Sequence, residues 1–95
     1  MNKFSIEDEV HAEWQGDFST FEDALNELKR RSKIPWNQEP NKCPFISWES
    51  CERIYTISEV EIGDETYSPI REAEVLNVSS KGVIWLKGFE NYADM

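Results

Sequence analysis

No stretch of this chain is apolar for more than four residues, the longest run being Val83-Ile84-Trp85-Leu86. A membrane-spanning helix needs about 20 apolar residues. The opening MNKFSIEDEV places Glu7, Asp8 and Glu9 where a secretory signal would carry an apolar stretch. The expectation is a cytoplasmic protein with no membrane contact. Cysteine is scarce too, with only Cys43 and Cys51 present. Structural zinc takes four ligands, often in C-x2-C pairs, whereas these two are spaced C-x7-C and His11 is the only histidine. No metal site is expected. A redox pair of the C-x-x-C kind at a helix start is equally absent, and a reducing cytosol disfavours a structural disulfide. The two thiols are expected to pack a loop. There are only four glycines, scattered, and no phosphate-cradling loop, G-x-G-x-x-G or G-x-S-x-G motif occurs. No cofactor is expected.

Positive charge is the next shortage. Ten basic residues face 19 acidic ones, giving a net charge of −9. A field of that sign repels phosphate backbones, so nucleic-acid binding is not expected, while a basic protein would be drawn in. Four of the ten cations, Lys29, Arg30, Arg31 and Lys33, crowd into one short stretch. They are read as complementing the negative end of a helix dipole rather than as a nucleic-acid patch. With 19 carboxylates available, some pair always lies at glycosidase spacing, so such pairs carry no information. His11 alternates with Val10 and Ala12 on what reads as a strand, and is expected at the surface or a sheet edge, without a catalytic role. No catalytic residue is assigned.

What remains is an ordinary globular composition, 39% apolar and 13% aromatic over 95 residues. That length suits one domain, residues 1–95, with a thin core. Residues 3–15 read as one strand, with Val10, Ala12 and Trp14 on one face and Asp8 interrupting the pattern. Gly16-Asp17 reads as a turn. Phe21, Ala24, Leu25 and Leu28 form the stripe of an amphipathic helix over about 20–33, with capping signals at Ser19 and Thr20. Pro35 ends it. A long loop, 35–50, follows.

Residues 52–62 read as a strand with a bulge near Ser58 or Glu59, where the apolar parity switches. A short extended piece is expected near Tyr67, limited by Pro69. Residues 73–79 and 83–87 read as a hairpin through Ser80-Lys81-Gly82, and 88–95 as a loose tail. The fold class is α+β: one amphipathic helix on a mostly antiparallel sheet of four to five strands, in the order β-α-long loop-β-(β)-β-β. The run FSTFEDALNELKRR, with its tryptophan- and cysteine-bearing loop, has the look of small accessory bacterial proteins, a likeness that names no family and assigns no residue.

Four tryptophans are many for so short a chain. Trp14 and Trp85 fall on expected strands and read as core. Trp36 and Trp48 flank the long loop. The last hairpin carries apolar residues at both parities, so the sheet reads as apolar on both faces. The loop then either folds back over the second face or presents its aromatics to something else. The interaction candidates are Trp36, Phe45, Trp48 and Tyr55.

The function expected first is a small acidic, non-enzymatic protein that binds another macromolecule, as an inhibitor, immunity-type or accessory protein with a basic partner. The alternative is a small-ligand-binding protein or minor enzyme with a pocket between loop 35–50 and the sheet. A homodimer through the second sheet face is a further expectation.

Overall fold

The computed structural model describes residues 2–42, 52–63 and 67–86. Among them, six elements follow one another: β1 (Asn2–Asp8), β2 (Glu13–Phe18), α1 (Phe21–Arg31), β3 (Glu52–Ile62), β4 (Tyr67–Ser79) and β5 (Gly82–Trp85). The strands form one sheet in the order β2-β1-β3-β4-β5, antiparallel at every pairing. The helix lies on one face, against β1, β2 and β3. The expected α+β class holds. No described helix is long and apolar enough to cross a membrane.

The helix forms as its sequence dictates. Thr20 sits in extended conformation and its side chain accepts the Asp23 N–H at 3.0 Å, satisfying a donor that has no partner within the helix. Glu22 and Asp23 occupy the first turn and Lys29, Arg30 and Arg31 the last. Ala24 and Leu28 are fully buried, while Phe21 and Leu25 pack beside them on the core. The sheet contributes Ile6, Tyr55, Ile57, Ala73, Val75, Leu76 and Val78 to the same cluster. At its edge the Phe4 and Phe21 rings meet edge to face, centroids 6.3 Å apart.

Four expectations need correction. The expected single strand 3–15 is a hairpin, β1 and β2, and Gly16-Asp17 lies inside β2 instead of turning the chain. Asp8 makes the turn: its Oδ1 accepts the Val10 N–H at 3.1 Å, closing a side-chain turn that competes with strand continuation. Ala12 takes φ 51°, the left-handed region that reverses the chain. Trp14 consequently moves from core to surface and is 62% exposed.

The second correction concerns β4, which runs unbroken through Pro69. The third is the origin of the mixed apolar parity. Tyr55 pairs with Leu76 and Thr56 with Glu74, which leaves Val75 as an extra residue. The bulge lets neighbours Val75 and Leu76 both be buried. A second register shift lies between Glu59 and Val60, where the sequence placed one, but its extra residue is Ile70 in β4. The parity switch within β3 has a simpler cause: this central strand is buried at every position from Tyr55 to Val60. Finally, Trp85 is no core residue: Val83, Ile84 and Trp85 are all exposed on the edge strand β5.

Candidate functional site

Two clusters of polar side chains stand out, one buried and one exposed. The buried cluster sits where β1 ends and β3 begins. Asp8 is fully buried. Its Oδ1 also accepts the Ile54 N–H at 3.2 Å, and its Oδ2 accepts from Arg53 Nη1 at 2.8 Å and bonds His11 Nδ1. The His11 side chain is only 5% exposed, so the surface position expected from strand alternation is wrong; the residue belongs to the turn that Asp8 builds.

Arg53 spreads over four acceptors: Asp8 and Glu13 carboxylates through Nη1, the Asn41 carbonyl through Nε and the Lys42 carbonyl through Nη2. Burial works against its charge, but Tyr55, Glu13 and Asp8 outweigh burial and raise its pKa. Asn41 donates to the Arg31 and Ile34 carbonyls, both at 2.8 Å, and its Oδ1 accepts the Tyr55 hydroxyl at 2.9 Å. Burial pushes the Tyr55 hydroxyl pKa up, against the pull of Arg31 and Arg53. The Arg31 guanidinium lies 5.2 Å from the Tyr55 ring centroid and donates to Glu27 and Gln15. This cluster ties the end of the helix and the segment through Lys42 onto the sheet. Among the described residues no buried side-chain nitrogen or oxygen lacks a partner.

The exposed cluster lies on the sheet face opposite the helix, where the described residues place no second layer. Cross-strand pairing lines up its rows. One row runs Trp14, Glu7, Thr56, Glu74, and the next Asp17, Ser5, Ser58, Glu72. Partners in a row stand on the same face, about 4.5–5.5 Å apart. The small Ser5, Thr56 and Ser58 fill the middle and the acids stand around them. Asp17 accepts from Lys3 Nζ at 2.8 Å, Ser5 Oγ at 2.6 Å and Trp14 Nε1 at 2.9 Å. Partial burial works to raise its pKa, but those three donors bring it down to about 2. Glu9 shows the opposite effect. A hydrogen bond shared with Glu74, some desolvation and the charges of Glu74 and Glu72 raise its pKa. The middle of the second sheet face is therefore acidic and polar around Trp14, and the apolar character expected of it is confined to its margins, where the same registers place Ile54, Val60 and Ile84.

Of the interaction candidates, Tyr55 is fully buried and Trp36 packs half-buried against the core. Phe45 and Trp48 lie outside the described residues, as do Cys43, Cys51 and the tail 88–95. Trp14 and the carboxylates around it were missed. The signal available was Asp8, which breaks the apolar face and, read as a turn, turns Trp14 outward. Among the described residues no group of three or more histidine, cysteine, aspartate or glutamate side chains is placed to hold a metal ion. A pocket of about 270 Å³, lined by Asn2, Lys3, Asp17, Phe18, Ser19 and Ile62, opens at the far end of β1 and β3 from the buried cluster. No protein-family model, curated protein or solved structure matches the chain.

Proposed function

We propose that the protein acts by binding another macromolecule, a basic protein, without chemistry of its own, as an inhibitor or accessory protein would. The observation that carries this is the acidic sheet face: Glu9, Asp17, Glu72 and Glu74 are exposed there and Glu7 half-exposed. The described cation on it, Lys3, is bonded to Asp17. In a chain of net charge −9, such a face steers a basic partner into contact and repels acidic ones. The buried cluster favours the same reading, since its ionisable groups are sequestered and mutually bonded.

The double variant Glu72→Lys/Glu74→Lys tests it. Both side chains are exposed, so the fold is expected to survive, as circular dichroism would verify. In affinity capture at near-physiological and high salt, the native chain is expected to retain a partner in a salt-sensitive way, and the variant to lose it. Capture of the same partner by both, or of none by the native chain, would refute the proposal.

A further inference from the structure

Resting on the binding function just proposed, we infer that the β2 end of the acidic face reads arginine side chains of the partner, with Trp14 as the stacking surface and Glu7 as the counter-charge. Trp14 is 62% exposed, and its indole N–H is held by Asp17 Oδ1 at 2.9 Å. That bond fixes the ring to the sheet edge while leaving it open to solvent. Trp14 and Glu7 are direct cross-strand partners, so a carboxylate stands beside the ring on the same face.

Of the acids nearest the ring, Asp17 already accepts from three donors, while Glu9 and Glu74 lie further along the face and repel each other. Among the described residues no side chain pairs with the Glu7 carboxylate. An exposed aromatic face beside an unspent carboxylate suits a planar guanidinium, which stacks on indole and binds a carboxylate through two N–H groups. An ammonium gains the charge attraction but matches the flat ring less well. The excess of carboxylates selects this occupant over a second copy of the chain, which would bring the same acids to the same place. It also selects against an anionic ligand.

The test uses two short peptides, arginine alternating with serine and lysine alternating with serine, titrated into the full chain at low salt. Binding is followed by calorimetry and by the Trp14 indole N–H resonance. The arginine peptide is expected to bind more tightly and to move that resonance. Trp14→Ala is expected to weaken it about two- to five-fold and to erase the preference over lysine, and Glu7→Gln to do likewise. Equal binding of both peptides, indifferent to Trp14→Ala, overturns the arginine reading and leaves the general acidic-face function standing. Binding of neither peptide overturns both. Self-association of the free chain that Trp14→Ala abolishes assigns the face to a second copy and also overturns the inference.

Discussion

At the scale of single residues, Asp8 and Arg53 dominate. Both side chains are withdrawn from water, 0% and 4% exposed, and each desolvated charge is compensated by several partners at once. A buried ion pair adds little net stability over apolar residues of the same shape, but removing one member strands the other. Arg53→Met leaves Asp8 buried with backbone N–H groups and His11 as its remaining partners, and strips the Asn41 and Lys42 carbonyls of their donor. The expected loss is about 3–5 kcal/mol, read as a lower urea midpoint at unchanged slope. A loss below about 1 kcal/mol would mean that the pair behaves like an exposed one. The same carboxylate holds His11 Nδ1, which makes the imidazole part of the turn that Asp8 builds.

At the scale of elements, the helix rests on a narrow apolar contact with the sheet, and Leu28 is at its centre, fully buried. Leu28→Ala is expected to cost about 2–5 kcal/mol. Thermal unfolding would show it as a fall of several degrees per kcal/mol, and a change of under about 1 kcal/mol would show that the core relaxes to fill the gap. The helix was legible because its signals are local: Thr20 at the cap, acids then bases along the axis, and Phe21, Ala24, Leu25 and Leu28 on one stripe. Strand β3 was legible from its β-branched run, and the β4–β5 hairpin from Gly82, which takes φ 118°. What stayed hidden depends on pairing across the sheet. A bulge is an extra residue relative to a partner strand, so Val75 reads as an ordinary strand residue, and Ile70, just past Pro69, as lying outside any strand, until β3 is laid beside them. The β1–β2 hairpin was hidden because Asp8 turns the chain with its side chain rather than through a Gly or Pro signal. That single misreading carried Trp14 into the core and His11 to the surface, and with them the acidic face escaped notice.

At the scale of the whole molecule, the excess negative charge makes stability depend on pH in two opposing ways. Asp17 and Glu27 are held at about 2 in the folded chain; for Glu27 the Arg30 hydrogen bond is the main cause, opposed by partial burial and helped by Arg31. Their folded pKa values lie below the unfolded ones, so the unfolded chain takes up protons first as the pH drops. The stability they contribute is present above about pH 4 and is lost as the pH falls toward 2. Glu9 has the reverse sign. Its folded pKa is raised by Glu74, desolvation and Glu72, so its contribution is present below the ordinary glutamate value, about 4.3, and is lost as the pH rises through the folded value. At neutral pH the Glu9–Glu74 contact is thus a standing repulsion, which the proposed basic partner would relieve. Glu9→Gln keeps a hydrogen-bonding group beside Glu74 and removes the charge. The variant is expected to melt at a higher temperature than the native chain at pH 7, with the difference shrinking toward pH 4, where Glu9 is itself protonated. Thermal unfolding of the two chains across that range checks the sign. Equal melting temperatures at pH 7 would mean that solvent already screens the pair, and that the acidic face carries its charge without cost.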